Sequence, residues 1–261
     1  MKPVSPEAAD EWMFPNRATP VGSAAYYAVR FSPAPMRQRN ALLLAWYELI
    51  QDIAEHAHDP GAARLKLDWW RQEIDRFIDG KARHPLAIKL QEVGVGDRAR
   101  IQLGAIIDNA DDHIRSPLVN NDQEFAAACR ASLGNFFVLL TRVERRSDYD
   151  TEKCIELGGY CAAVERIRRL AACEHRVPVD MNAQAFRQVT PAFRATRVEA
   201  LLNQFDTTPV SSDEQVPDLA RRLTALAHAM HSKIRNKDYA VADTPIDRAP
   251  IAKLWTAWRC R

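Results

Sequence analysis

Along most of this chain, apolar residues recur at three- and four-residue spacing, and no run alternates apolar and polar residues with a period of two. The first spacing gathers side chains on one face of a helix, whereas a half-buried strand needs the second. Glycine is also scarce, at 9 of 261 residues, so the turn density of a sheet protein is missing. The fold class narrows to all-α.

Local signals divide the chain into helices. The first is expected over Gly22 to Arg30, stopped by Ser32-Pro33, and the second from Pro35 to about His56, with Leu42, Ala45, Trp46, Leu49 and Ile53 inward. Asp59-Pro60 reads as a cap followed by a first-turn proline, opening a helix that carries Leu65, Leu67, Trp69, Trp70, Ile74 and Phe77 and ends at Asp79-Gly80. Trp69 and Trp70 cannot both point inward, so one is expected to meet a neighbouring element. His84-Pro85 opens a short helix, and further helices are expected over Asp97–Arg115, Asp122–Arg145, Thr151–Cys173, Ala183–Val189, Pro191–Phe205 and Pro217–Asp238. Residues 209–212 read as a linker, and Ile251–Arg261 as a terminal turn bearing Trp255 and Trp258. Many helices joined by short breaks, with no internal repeat, favour a single-domain helical bundle over residues 1–261.

A formal charge of +2 leaves no dominant basic stripe, which argues against nucleic acid. The five cysteines include no C-x-x-C pair and read as reduced thiols, with Cys154 and Cys161 in the core. The segment MKPVSPEAADEW holds no apolar leader core. The longest apolar run, Ala41 to Tyr47, is far short of the roughly 20 residues that span a bilayer. A soluble, cytoplasmic chain without a transmembrane segment is expected, and peripheral contact with a membrane surface is compatible with its arginine content.

Three charged constellations stand out. Glu48, Asp52 and Glu55 fall on one stripe of one helix; they suit a divalent cation if they face a cavity, or a solvated face if they do not. Asp108, Asp111 and Asp112, beside His113, oppose the dipole of their helix C-terminus, which calls for a compensating partner. Glu165, Arg166, Arg168 and Arg169 could hold a phosphate, pair with carboxylates across a cavity, or form salt bridges along the helix surface. No Walker, dinucleotide, zincin or nucleophile-elbow pattern occurs, and His228 and His231 read as polar-face or core residues.

The order of these segments resembles the squalene/phytoene synthase family. The carrying residues are Tyr26-Tyr27-Ala-Val-Arg30-Phe31-Ser-Pro33, Ala45-Trp46-Tyr47-Glu48-Leu-Ile-Gln51-Asp52-Ile-Ala-Glu55, Leu65-Lys-Leu67-Asp-Trp69-Trp70-Arg71-Gln-Glu73-Ile74, His84-Pro85-Leu-Ala87 and Leu157-Gly158-Gly159. The likeness is clearest over residues 22–180. It implies the isoprenoid synthase fold, a helical bundle around a central apolar cavity. Members of the family use two aspartate-rich motifs to hold Mg²⁺ against prenyl diphosphates, which they condense head to head.

This chain departs from both motifs. Where the family has D-D-x-x-D it reads Gln51-Asp52-Ile-Ala-Glu55, with Glu48 in place of an arginine. In the second motif Arg168 keeps the family's arginine, but Arg169 stands where the aspartate belongs and Glu165 where the asparagine belongs; Ala25 replaces an early serine. Exchanging a carboxylate for a guanidinium turns attraction for a cation into repulsion of about 4 kcal/mol per unit charge at about 4 Å and a dielectric near 20. The resemblance therefore implies a catalytically inactive protein with no cofactor, acting in binding or assembly on an unknown protein partner. A non-catalytic branch of the family that assists respiratory complex I assembly shares these degraded motifs and the aromatic C-terminus. Arg168 or Arg169 is expected to pair with Asp52 or Glu55 across the cavity, and Arg30 and Arg166 are further partners for a phosphate or carboxylate. One alternative is a Mg²⁺-dependent prenyltransferase ligating metal through Asp52 and Glu55, with Asp108, Asp111 and Asp112. The other is a module that binds a prenyl chain or lipid. Large side chains filling the cavity favour the inactive assembly role, and an open apolar tunnel the lipid-binding one.

Overall fold

The computed structural model describes residues 11–144, 146, 148–171, 177–208 and 215–260. The first ten residues, the expected linker at 209–212 and Cys173 lie outside that set. Among the described residues there is no strand, only one isolated bridge between Val119 and Pro178. The chain is built from α1 (Ala24–Arg30), α2 (Ala34–Glu55), α3 (Pro60–Ile78), α4 (Pro85–Glu92), α5 (Arg100–Arg115), α6 (Asp122–Cys129), α7 (Asn135–Glu144), α8 (Thr151–Arg168), α9 (Ala183–Gln188), α10 (Pro191–Leu202), α11 (Asp218–Arg235) and α12 (Pro250–Arg259).

Most of these helices start where a side chain can take up orphan amide N–H groups. Asp59 accepts from the amides of Gly61 and Ala62 at the head of α3, at 2.8 and 3.2 Å. His84 Nδ1 accepts from Leu86 at the head of α4, and Ser23, Asn121, Asp150 and Thr190 do the same for α1, α6, α8 and α10. Prolines in the first turns of α2, α3, α4, α10 and α12 cost no hydrogen bond there.

Helix α8 is the central strut. It packs against α6, α7 and α11, and its Leu157–Val164 stretch is buried throughout. Burial on all sides explains why that stretch carries no clear amphipathic stripe. One apolar cluster, around Leu42, Trp46, Phe136 and Phe137, lies on one side of it; a second, around Phe125, Phe186, Leu201 and Ile234, lies on the other.

The structure revises several sequence expectations. The helix expected over Asp122–Arg145 is interrupted by a π-helical segment, Arg130–Gly134. At this segment the backbones of two elements touch: a Cβ placed on Gly158 would lie 2.5 Å from the Leu133 carbonyl oxygen and 2.6 Å from Gly134 Cα. Leu157-Gly158-Gly159 is thus a close-packing device, since only glycine admits such an approach. Helix α8 stops at Arg168, with Arg169 as its C-cap, short of the expected Cys173. The terminal segment is a full helix, α12, rather than a turn. Leu65 is exposed despite its place in the apolar pattern. Trp70 is buried between Trp46 and His84, and Trp69, partly exposed, also reaches His84.

Candidate functional site

Helices α1, α2, α8 and α11, the turn before α1 and the segment around residues 247–253 line a cavity of about 680 Å³. Helix α11 presents Leu223, Leu226, Ala227 and Met230 to it, the i, i+3, i+4, i+7 pattern of a single face. Helix α8 presents the same pattern, but its stripe runs from apolar to charged: Cys161, Val164, Glu165, Arg168. Helix α2 contributes Leu44, Tyr47 and Glu48. The cavity therefore has an apolar floor and a charged rim, to which Arg17, Asp247, Arg248 and Lys253 also belong.

The remnants of both degraded motifs meet at this rim. The Glu48 carboxyl is pushed up to about 7, chiefly by burial and next by Asp52, with Arg17 opposing the rise and Glu165 and Glu55 adding to it. Glu48 of α2 and Glu165 of α8 line the same cavity. Asp52 is ion-paired with Arg17, from the turn preceding α1. Arg168 holds Glu165 with two parallel bonds, Nε to Oε2 at 2.5 Å and Nη2 to Oε1 at 2.7 Å. Its Nη1 also reaches the Ile246 carbonyl at 3.4 Å. Arg169 lies at 4.0 Å from the same glutamate, its side chain 44% exposed. Beyond Arg168, Lys253 is buried and bonded to Asp247 at 2.8 Å. Burial would raise the Asp247 carboxyl, but Lys253, the Arg248 amide and Arg168 hold it below its ordinary value.

The expected ion pair across the cavity is not what forms. Asp52 takes Arg17, and Arg168 and Arg169 take Glu165, because i, i+3 and i, i+4 neighbours on one helix lie closer than a partner across a cavity. Arg168 and Arg169 thus make their salt bridges along their own helix. Gln51 and Arg166 do not line the main cavity; they share a separate cleft of about 240 Å³ with Asp112 and His113. Arg166 reaches the Ala128 carbonyl there at 3.5 Å. Arg30 is exposed in the last turn of α1, apart from both.

Arginines also take up Asp108 and Asp111 of the second acidic stripe, while Asp112 lines the separate cleft. Arg71 donates to Asp108 at 2.8 Å, and Asp111, 5% exposed, accepts from Arg64 at 3.0 Å and Arg115 at 2.6 Å. Burial would raise the Asp111 carboxyl, yet Arg115 and Arg64 hold it below its usual range. The compensating partner for these aspartates is arginine. Glu73 of the Trp69-Trp70-Arg71-Gln-Glu73 run is fully buried and accepts from the amides of Arg83 and His84 at 2.5 and 2.7 Å. That motif pins α4 to α3 and lies outside the cavity. His231 joins Tyr160 of α8 to Glu199 of α10, with both bonds at 2.9 Å, a structural link between helices.

Fit to Mg²⁺ can be judged from the donors. Asp52, Glu55 and His56 bring one ligand atom each within 4.8 Å of one another. His56, which caps α2, escaped the sequence reading, although i+4 from Asp52 was signal enough. The imidazole suits transition metals better than Mg²⁺, and Arg17 already neutralises Asp52. On the facing helix Glu165 is chelated by Arg168 and the neighbouring position is Arg169. A two-sided carboxylate set for metal-bridged diphosphate does not fit these residues. Arg17, Arg248 and Lys253 also escaped the sequence reading, for they come from loops and a terminal helix that only the tertiary fold brings to the rim.

Among the described residues, a bundle of helices around a cavity with an apolar floor and a charged rim fits the isoprenoid synthase class of fold. The squalene/phytoene synthase family model matches residues 18–255, and the chain belongs to that family. A solved structure described as a dehydrosqualene synthase in complex with ligand superposes with a TM-score of 0.63, covering 91% of this chain and 90% of that one at 12% identity. That likeness supports the isoprenoid synthase fold. Among curated proteins, no sequence matches this chain. No helix among the described residues is long and apolar enough to cross a membrane.

Proposed function

We propose that this chain is a catalytically silent member of its family, which keeps the cavity to bind an apolar chain with an anionic head and works as a binding or assembly protein. The observation that carries this reading is Arg168 seated on Glu165 at the rim, where a metal-dependent site needs free carboxylates. Arg17 and Lys253 at the same rim are shared with Asp52 and Asp247, and Arg248, which donates to Thr256, adds a further cation, so an anionic head group meets positive charge there without a bridging metal. The floor below them is apolar and open, which favours a prenyl or lipid tail over an empty relic.

The test is incubation of purified protein with farnesyl or geranylgeranyl diphosphate, with and without Mg²⁺, measuring binding, diphosphate release and extracted lipid. Binding that survives chelation, with no release, is the expected result. The acid–histidine cluster at Asp52, Glu55 and His56 favours a second reading, a prenyltransferase with altered ligands. Release of diphosphate that depends on a divalent cation and is lost in Asp52→Asn would replace the first reading with the second.

A further inference from the structure

We infer that the outward face of α12 is a docking surface for an anionic membrane, placed beside the cavity opening. Ile251, Trp255 and Trp258 stand at i, i+4 and i+7 on one stripe of this helix and are 77%, 54% and 39% exposed. A helix at the edge of a folded chain normally turns its large apolar residues inward. Here the opposite face, with Lys253 and Ala257, is the buried one, packed against α11 and α1. Arg222 fixes it by donating to the Ala257 carbonyl at 2.6 Å.

The chemistry of the patch selects its occupant. Helix α12 carries no Asp or Glu; its Lys253 is turned inward onto Asp247, which leaves Arg259 as the cation on the outward side, with Arg248 just ahead of the helix. Arg259 lies over the Trp255 ring, 5.8 Å from its centroid, and the Trp255 and Trp258 rings are 5.2 Å apart. Paired indoles with an arginine over one of them match the head-group layer of an anionic bilayer, where amphipathic rings and cations both find partners. A second copy of this chain on the same patch would set Arg259 against its own counterpart, with no carboxylate on α12 to answer it, which disfavours a symmetric dimer.

The patch also adjoins the cavity. Val21, 73% exposed, and Pro250, the first residue of α12, both line the opening, and a Cβ on Gly22 would sit 3.7 Å from Pro250 Cγ. A chain seated on a bilayer by α12 turns that rim toward the lipid. The inference does not depend on what the cavity holds: vesicle binding without prenyl diphosphate binding would keep it and remove the function proposed above.

The experiment is flotation of the full chain with vesicles of phosphatidylglycerol and phosphatidylcholine, against vesicles of phosphatidylcholine alone. Binding to the anionic vesicles is expected, weakened by salt, and reduced about tenfold or more in Trp255→Ser/Trp258→Ser. Both rings are partly exposed, so thermal unfolding checks that the variant folds. Should it fail to fold, Arg259→Glu and quenching of wild-type tryptophan fluorescence by brominated lipid give the same readout. Absence of vesicle binding, binding indifferent to these substitutions, or a dimer that Trp255→Ser dissociates would each overturn the inference.

Discussion

Arg168 holds Glu165 through two N–H groups on one edge of its guanidinium, one helical turn apart on α8 and at the rim of the cavity. Glu165 is 47% exposed, so solvent screens the pair and its contribution to stability stays below about 1 kcal/mol. Its weight falls on the ligand side. Arg168→Gln is expected to leave the melting temperature nearly unchanged while weakening farnesyl diphosphate binding about tenfold, the scale of one charge-assisted contact. Calorimetric titration in chelator checks this; unaltered affinity would remove Arg168 from the binding rim.

Glu48 gives the cavity a pH dependence. Its carboxyl is raised from 4.5 to about 7, chiefly by burial and then by Asp52. Between those two values the folded chain keeps a proton that the unfolded chain has lost, so stability falls as pH rises from about 4.5 to 7 and then levels off. The rise from 4.5 to about 7 bounds the loss at about 3 kcal/mol. Glu48→Gln should therefore melt higher than wild type at pH 8 and about the same at pH 4. The ionised carboxylate also repels an anionic ligand, so the variant should bind farnesyl diphosphate more tightly at pH 8. Melting curves and titrations at the two pH values decide it, and a gap that does not widen with pH counts against the assignment.

What was legible in the sequence was whatever rests on local chemistry. Asp59-Pro60 and His84-Pro85 marked helix starts because capping depends on residues two or three positions away. The helical fold class and the family followed from periodicity and from runs such as Trp69-Trp70-Arg71. The meeting of Glu48 with Glu165 was half legible: each lay in a recognised motif remnant, but which carboxylate took which arginine depended on distances across a cavity. The neighbours that won, Arg17 for Asp52 and Arg168 for Glu165, show one partner with no local signal and one with an ordinary helical spacing. Lys253 and Arg248 were invisible because a chain position near residue 250 says nothing about closeness to Glu165 in space.

The contact between α8 and the π-helical segment makes a sharp packing prediction. A methyl on Gly158 would enter the backbone of Leu133 and Gly134, neither of which can rotate aside as a side chain would. Gly158→Ala is expected to cost about 3 kcal/mol or more. Gly104, inside α5, has nothing within 4 Å of its added Cβ, and Gly104→Ala should instead stabilise by about 0.5–1 kcal/mol. Chemical denaturation of the two variants makes the comparison, with opposite signs expected.

Glu73 tests whether the most recognisable motif of the chain serves structure. It lies fully buried in α3 and accepts from the Arg83 and His84 amides and from Arg76 Nε, the last at 2.7 Å. Burial alone would raise its carboxyl, but the two amides and the Arg76 guanidinium hold it below 4.5. A depressed carboxylate adds stability that is fully present above the unfolded value and is lost as pH falls through the folded one, so this contribution disappears below about pH 4.5. Glu73→Ala leaves two buried amides and an arginine without their acceptor, and should cost about 3–5 kcal/mol at pH 7. Glu73→Gln keeps an acceptor oxygen but not the charge, so it should cost less and flatten the acid limb of the stability curve. Ligand affinity, measured where both variants remain folded, should be unchanged, because this carboxylate secures the entry to α4 and does not line the cavity.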